Sequence, residues 1–449
     1  MLHLYQNITF ILEGPVKWLY CRQSPLIHIL TFEERQQRFG IYSSHILQNA
    51  PYDIWMHAAS VGEVSAASAI LHAVKRMAPE TRLLLSVFTV TGYRYAMKEL
   101  TGIAQVVLAP FDLPRAAGDA FKAIQPRIYA SVETELWPNM LLSAKRRGIR
   151  TVLLNARISN RSFGRYMRLK TVFGPILQQF YGICAISETY KHRLIQLGAI
   201  PDTIHVTGNA KFEGLLHKTD SHKAQEMKKR LHLSKDAQIL VAGSIRGDEV
   251  QETARAIALL KQTLPTLWVF LAPRHLNRLS DLKTACEQAA IPSMTLSDLE
   301  NIVECKPDTP CEESHVTPVI LVDRMGLLFS LYSIATVAFV GGSLVPKGGQ
   351  NPMEPAAWAC PVLFGPHMEN FEEAKEALLR TEGAFEIKDA RELADNAIKL
   401  LSDAQYRNKI GRNALKGLQK IAIDAATHQA EYILMCLEKE GIYGHAEDQ

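Results

Sequence analysis

The chain has 449 residues, of which 47% are hydrophobic and 21% are charged. This composition excludes a disordered chain, and the length predicts two domains of roughly 200 residues each. Fifty Lys and Arg residues against 46 Asp and Glu leave a net charge of only +4, so wholesale binding to nucleic acid is not expected. The chain contains no Asp-x-Asp pair, no phosphate-binding Walker loop and no His-Glu-x-x-His motif, so we predict neither a metal site nor a cofactor.

The first 48 residues are predicted to form a separate N-terminal segment. Its apolar stretch from Ile8 to Leu30 is interrupted by charged residues and prolines, so it does not predict a spanning helix. It could instead lie on a membrane or pack as a helix on its own domain, and both readings stay open. The membrane reading uses the basic side chains Lys17, Arg22, Arg35 and Arg38 together with the apolar and aromatic side chains Leu2, Tyr5, Ile8, Phe10, Ile11, Trp18, Leu19, Tyr20, Ile27 and Leu30.

Residues 49–208 alternate short apolar runs with helix-like stretches, a pattern that predicts parallel βαβ units and a Rossmann-like domain. The predicted strands are Asp53–His57, Arg82–Phe88, Gln105–Leu108, Arg127–Val132, Thr151–Asn155, Gly182–Ile186 and Thr203–Val206.

Residues 209–430 repeat the pattern and predict a second Rossmann-like domain, followed by a tail at 431–449. The predicted strands are Gln238–Ala242, Leu267–Ala272, Pro318–Val322, Ala335–Val340 and Pro361–Phe364. The fold class is therefore α/β, with two doubly wound domains. Ligands in such folds bind at the carboxyl ends of the strands, so we expect a central cleft that both domains face.

Polar motifs follow three predicted strands of the first domain. Ser60 and Glu63 have the spacing of a helix capping box, so Glu63 is either a capping partner or a general base at a strand end. Glu133 and Glu135 occupy a loop beside Trp and Pro at a strand end. Two carboxylates there are either part of a functional site or the solvated start of a helix. Arg157 could meet an anionic substrate or pair locally.

The second domain has a matching set of candidates after its strands. Ser244 lies in the loop that follows the first of these strands, and Arg274 and His275 follow the next strand. The Arg274 guanidinium either binds a phosphate or forms a salt bridge at the surface. Met325 and Gly326 follow another strand, and N–H groups at that helix start could hold a phosphate.

The segment Gly341–Phe371 predicts a strand end, a glycine-rich loop, a helix start and another strand. Gly342 would allow close approach of a ligand, and Pro352 suits the first turn of the helix. Asn351 and Glu354 could bind sugar hydroxyls. The combination indicates a site for a nucleotide-linked sugar.

These motifs together resemble the 3-deoxy-D-manno-octulosonic acid (Kdo) transferases, bacterial glycosyltransferases of lipopolysaccharide synthesis. Between residues 50 and 375 the matching segments read, in order, HAASVGEV, ETELWPN, LLNARIS, VTGNAKFE, APRH, FVGGS and GGQNPMEPA with PVLFGPHMENF. The resemblance implies the two-domain GT-B fold, transfer of Kdo from CMP-Kdo to a lipid A precursor, inversion at the sugar, no metal ion, and a peripheral place on the cytoplasmic face of the inner membrane.

The resemblance also implies roles for individual residues. Glu63 would be the general base and Glu133 a second catalytic carboxylate, with Ser60, Glu135 and Arg157 on the acceptor side. The donor CMP-Kdo would be bound by Ser244, Arg274, His275, Met325, Gly326, Gly342, Asn351 and Glu354. Arg246, Leu327 and Gln350 depart from the family pattern, which affects details of donor contact. The competing hypotheses are a sugar-nucleotide epimerase of similar shape and a non-catalytic binding protein.

Overall fold

A computed structural model describes residues 2–23, 29–305, 316–422 and 424–438. The chain divides into two compact units: Met1–Gly214 with Ala422–Gln449 form the first, and Leu215–Ile421 form the second. The division falls a few residues after the predicted boundary at Gly208.

The first unit is built on a parallel sheet. Its strands are β1 (Ile54–Ala58), β2 (Leu83–Val87), β3 (Gln105–Leu108), β4 (Ile128–Val132), β5 (Arg150–Ala156), β6 (Gly182–Ala185) and β7 (Ile204–Val206). Their order in the sheet is β3-β2-β1-β4-β5-β6-β7, and all neighbours are parallel. The order reverses direction between β1 and β4, so the carboxyl ends of these two strands mark the expected ligand crevice of this unit.

Helices cover both faces of this sheet. They are α1 (Leu2–Gln23), α2 (Phe32–Gln37), α3 (Ser44–Leu47), α4 (Val61–Met77), α5 (Val90–Glu99), α6 (Pro114–Ile124), α7 (Pro138–Arg146), α8 (Asn160–Arg168), α9 (Lys170–Leu177) and α10 (Glu188–Leu197), followed by α11 (Ala210–Lys218) at the division. Alternate residues of β1 enter different cores: Ile54 and Met56 join one cluster, and Trp55 joins the other. Burial on both faces explains why the strands are continuous apolar runs.

The second unit repeats this architecture. Its strands are β8 (Ile239–Ile245), β9 (Trp268–Pro273), β10 (Ser293–Thr295), β11 (Val319–Leu321), β12 (Val337–Val340), β13 (Val362–Phe364) and β14 (Ala384–Glu386). The order β10-β11-β9-β8-β12-β13-β14 is again parallel throughout, with the reversal between β8 and β12. The edge strands β10 and β14 were not predicted from the sequence.

The remaining helices complete the second unit and return the chain to the first. They are α12 (Ser221–Arg230), α13 (Glu249–Thr263), α14 (Leu279–Gln288), α15 (Leu296–Cys305), α16 (Leu328–Tyr332), α17 (Met353–Ala357), α18 (Glu372–Arg380), α19 (Ala390–Ser402), α20 (Ala404–Ala422) and α21 (Ala425–Glu438). The domain bounds predicted from the sequence assigned residues up to 430 to the second domain, but α21 belongs to the first unit. Its residues Ala426, Ala430 and Ile433 are buried in the same cluster as Val64 of α4.

Part of the membrane surface predicted for the N-terminal segment is wrong. Arg38, which was counted among its basic side chains, is buried and donates hydrogen bonds to the carbonyls of Ala109 and Phe88. Leu30 is buried as well, Tyr5 donates a hydrogen bond to Asp112, and the ring of Tyr20 packs against Phe111. Ile27 lies outside the described residues, as do residues 439–449 of the predicted tail.

None of the described helices has the length and apolar character needed to cross a membrane.

Candidate active site

Glu63 lies at the crevice of the first unit. Because β1 ends at Ala58 and α4 begins at Val61, Glu63 occupies the first turn of α4. Its Oε2 atom accepts hydrogen bonds from the backbone N–H groups of Ala59, at 2.6 Å, and Ser60, at 2.7 Å. The predicted capping geometry is therefore present, and it fixes the carboxylate at the positive end of the helix.

The environment of the Glu63 carboxyl group disfavours its ionised form. Burial raises the pKa of Glu63 to about 7, and the negative charges of Glu133 and Glu135 add to the effect, while the two N–H donors partly oppose it. A carboxyl group with a pKa near 7 is suited to accept a proton at neutral pH. Capping and general-base chemistry are thus compatible in this one side chain.

Glu133 follows β4, on the other side of the crevice. Its backbone has φ +62°, in the left-handed region that few non-glycine residues adopt. Its Oε1 atom is buried and has no hydrogen-bond partner among the described residues, while Oε2 lies 3.9 Å from Nε of Arg157. A strained residue that presents a buried carboxylate is typical of a functional site.

Glu135 differs from Glu63 in the direction of its pKa shift. Burial alone would raise its pKa, but His57 and Trp137 outweigh burial and hold the pKa below its usual value. Trp137 Nε1 donates to Glu135 Oε2 at 2.6 Å, and His57 Nε2 lies 3.8 Å from the same oxygen. His57 Nδ1 is held 3.0 Å from Ser86 Oγ. Glu135 therefore supplies a fixed negative charge to the cluster.

Two residues near this cluster were not assigned by sequence reasoning. His57 begins the HAASVGEV segment, but nothing in the sequence brings it to Glu135. Lys211 lies in the VTGNAKFE segment, and its Nζ atom would be 3.0 Å from a Cβ atom added to Gly62. Both contacts join residues far apart in the chain, so the sequence did not reveal them. The one clue to both residues was that each lies within a motif of the family.

In the second unit, Glu249 organises the crevice between β8 and β12. This buried carboxylate accepts hydrogen bonds from the backbone N–H groups of Arg246, Gly342, Ser343 and Leu344. Burial raises its pKa, and the four N–H donors oppose the rise. The sequence analysis assigned no role to Glu249. Ser244 was predicted in a loop, but it lies within β8, at an irregularity in the pairing with β9. Glu249 joins the residue that follows β8, Arg246, to the loop that carries Gly342. Ser244 and Gly342 both have positive φ.

Arg274 and His275 follow β9 and are exposed. The backbone N–H of Arg274 donates to Ile245 O at 3.0 Å, which fixes the start of this loop beside the end of β8. Within the described chain, no side chain forms an ion pair with the Arg274 guanidinium. His275 and Met325 both line an open cavity of about 580 Å³. The structure thus brings these two predicted donor residues together.

The helix starts in the second unit differ in detail from the prediction. Gly326 has φ +84°, and α16 begins two residues later, at Leu328. Pro352 precedes α17 as its N-cap instead of occupying the first turn. Asn351 and Glu354 lie together, because Asn351 Nδ2 is 3.4 Å from Glu354 Oε1.

The predicted acceptor-side residues therefore lie in the first unit, and the predicted donor-side residues lie in the second. Their meeting in one cleft stays a prediction. In the described parts of the chain, no group of three or more His, Cys, Asp or Glu side chains is arranged to hold a metal ion.

Comparison with solved structures identifies the fold. A glycosyltransferase from Rickettsia africae aligns with 87% of this chain and 99% of its own, with a TM-score of 0.58 and 14% identity. A UDP-GlcNAc 2-epimerase from Neisseria meningitidis, bound to UDP-GlcNAc, aligns with 86% of this chain and all of its own, with a TM-score of 0.61 and 14% identity. The chain has the two doubly wound units of the GT-B fold, as predicted.

Sequence comparison identifies the family. A family model described as 3-deoxy-D-manno-octulosonic-acid transferase (kdotransferase) matches residues 33–214. A 3-deoxy-D-manno-octulosonic acid transferase from Haemophilus influenzae is 31% identical over 84% of this chain and 85% of its own length. A bifunctional glycosyltransferase/methyltransferase from Fusobacterium nucleatum is 33% identical over 76% of this chain, which spans only about half (51%) of that longer protein. The chain therefore belongs to the Kdo transferase family of glycosyltransferases.

Proposed function

We propose that this glycosyltransferase moves Kdo from CMP-Kdo to a lipid A precursor, with inversion at the sugar and without a metal ion. The observation that carries the proposal is the carboxylate cluster of the first unit. Glu63 combines a fixed position at a helix N-terminus with a pKa of about 7, the value needed to take a proton from an acceptor hydroxyl at neutral pH.

The remaining acceptor-side residues support Glu63. Glu133 and Glu135 raise the pKa of Glu63, and the buried Oε1 of Glu133 has no hydrogen-bond partner among the described residues. Ser60 and Arg157 border the same carboxylates and would contact the acceptor.

The donor would bind at the crevice of the second unit. Arg274 and His275 supply donors for the phosphate, and the guanidinium would stabilise the charge that develops as CMP leaves. Met325 and Gly326 would lie against the nucleotide, and Asn351 and Glu354 would bind ribose hydroxyls. Gly342, held by Glu249, and Ser244, near the end of β8, would border the sugar.

We further propose that the protein lies on the cytoplasmic face of the inner membrane, where a lipid acceptor is found. Helix α1 exposes Phe10, Ile11, Trp18 and Leu19, and Arg22 lies over the Trp18 ring. Apolar and aromatic side chains beside basic ones favour attachment to an anionic lipid surface.

A donor-only reaction separates this proposal from the epimerase hypothesis, because the fold is shared by both classes. The account predicts that CMP release from CMP-Kdo requires the lipid acceptor. Glu63→Gln should lower kcat by about 10²–10⁴-fold, as expected for loss of a general base. Glu80→Gln, at an exposed glutamate of the same unit, is the matched control. Turnover of the sugar nucleotide without acceptor would favour an epimerase. Full activity of Glu63→Gln would exclude Glu63 as the general base.

A further inference from the structure

Polar side chains of helix α1 contact the rest of the first unit. Tyr5 Oη donates to Asp112 Oδ2 at 2.9 Å, and Thr9 Oγ1 accepts from Asn139 Nδ2 at 3.1 Å. Further along the helix, the carboxylate of Glu13 accepts from two backbone N–H groups in the first turn of α6, at 3.1 and 3.0 Å. These three polar residues of α1 are thus directed at protein, the reverse of an ordinary surface helix.

The exposed side chains of α1 are largely apolar. They include Ile8, Phe10, Ile11, Leu12, Trp18 and Leu19, each about half exposed or more. Lys17 and Arg22 lie among them, with Arg22 over the Trp18 ring. Apolar and aromatic residues interspersed with positive charge are complementary to one kind of partner, a lipid surface with anionic headgroups.

Asp112 connects α1 to the segment that carries the carboxylates. Besides the Tyr5 hydroxyl, its carboxylate accepts from the backbone N–H groups of Asn139, at 3.2 Å, and Met140, at 2.9 Å. Its own carbonyl accepts from Asn139 Nδ2 at 2.6 Å. These residues begin α7, directly after the segment Glu133–Trp137. One buried carboxylate therefore joins the helix to the end of that segment.

Aromatic rings form a second connection between the same two elements. The ring of Tyr20 in α1 lies 5.0 Å from that of Phe111, and Phe111 lies 6.3 Å from Phe88. Phe88 in turn lies 5.0 Å from Trp137, whose Nε1 donates to Glu135. Polar and aromatic contacts from opposite ends of α1 thus converge on one segment.

We propose that Asp112 is a positioning residue through which binding of α1 to an anionic lipid surface fixes the carboxylate segment Glu133–Trp137. The inference rests on the proposed function in one respect, namely that the lipid surface is the membrane that contains the acceptor. Lipid favours the docked helix because an undocked one would bring Tyr5, Thr9 and Glu13 to the lipid without their partners, at a cost in free energy. The lipid therefore shifts the equilibrium toward the docked state.

Hydrogen exchange tests this coupling without any need for turnover. Vesicles of phosphatidylethanolamine and phosphatidylglycerol should slow amide exchange in residues 133–146 of the wild-type protein. Tyr5→Phe, which removes only the hydroxyl bound to Asp112, should still bind the vesicles on co-sedimentation but lose this protection. Tyr181→Phe, at an exposed tyrosine of the same unit, should behave as wild type. Because this readout needs no Kdo transfer, it stands even if the proposed reaction is wrong.

A kinetic measurement adds the functional side. With a water-soluble acceptor that lacks acyl chains, empty vesicles should raise the wild-type kcat by roughly 5-fold or more, the lower range of coupling between sites. Tyr5→Phe should keep its basal rate and lose the activation. Asp112→Asn should lose it too, and Tyr5→Phe should add nothing to Asp112→Asn. The proposal is overturned if bound vesicles protect nothing in the wild-type protein, if wild type fails to bind them, or if Tyr5→Phe retains the protection.

Discussion

Neutralising Glu133 should make Glu63 a stronger acid. In the folded protein the pKa of Glu63 is raised from 4.5 to about 7, which corresponds to a cost of about 3 kcal/mol for ionising it in place. Burial is the largest cause and remains in a Glu133→Gln variant, while the repulsion from Glu133 is removed. The pKa of Glu63 should therefore fall part of the way, to a value between 4.5 and about 7.

The assay is the pH profile of kcat/KM for Kdo transfer. Because a general base must be ionised, the wild-type rate should rise with pH through a midpoint of about 7. In Glu133→Gln this midpoint should move to lower pH, whatever the loss in maximal rate, and it should move further in the Glu133→Gln/Glu135→Gln double variant. Glu80→Gln should leave it in place. A midpoint that stays fixed or rises in Glu133→Gln would refute the electrostatic account of the cluster.

Four further predictions concern stability and donor binding. The folded pKa of Glu63 lies above its unfolded value, so the stability that its protonated form contributes is complete below pH 4.5 and is lost as pH rises through about 7. The free energy of unfolding in urea should lose this pH dependence in Glu63→Gln. An unchanged pH dependence in the variant would contradict the raised pKa. Glu249→Ala should lower the free energy of unfolding by roughly 3 kcal/mol or more, since it leaves four N–H donors, two of them buried, without their acceptor. Calorimetry should show weaker CMP binding, and unchanged CMP affinity would remove Glu249 from the donor site. Gly365→Ala should lower the free energy of unfolding, measured by thermal unfolding, by about 1–3 kcal/mol, because the added Cβ would overlap the backbone of Ser343. Gly164→Ala, whose Cβ would meet no atom within 4 Å, should not lower it. Equal effects of the two substitutions would exclude the steric explanation. Arg274→Gln should raise KM for CMP-Kdo roughly tenfold or more and leave unfolding unchanged, and an unaltered KM would argue against phosphate contact.

The central strands of both sheets were predictable because they are buried on both faces. The run Arg127–Val132 predicts β4 within one residue, since each residue from Ile128 to Val132 is buried. The edge strands β10 and β14 have three residues each and are only partly buried. Each has only one large apolar side chain, whereas the edge strands β3 and β7 of the first unit, which were predicted, each have two or more Val, Ile or Leu side chains. The signal in β10 and β14 was therefore too weak for either to be found.

Predictability of the site depended on how far apart its contacting residues lie in the chain. Glu63 was recognised because its capping partner is three residues away, and the motif left its capping and catalytic readings open. Asp112 and Asn139 are 27 residues apart, and Glu249 is 93 residues from Gly342. Such contacts exist only once the sheet order brings strand ends together, so sequence patterns could not reveal them.

The central claim is that the protein adds Kdo to a lipid acceptor through Glu63. The most direct measurement is mass spectrometry of a lipid A precursor after incubation with CMP-Kdo and either the wild-type protein or Glu63→Gln. The account predicts a lipid product heavier by one or more Kdo residues with the wild-type protein and almost none with Glu63→Gln. An unmodified lipid with the wild-type protein, or equal product from both proteins, would contradict it.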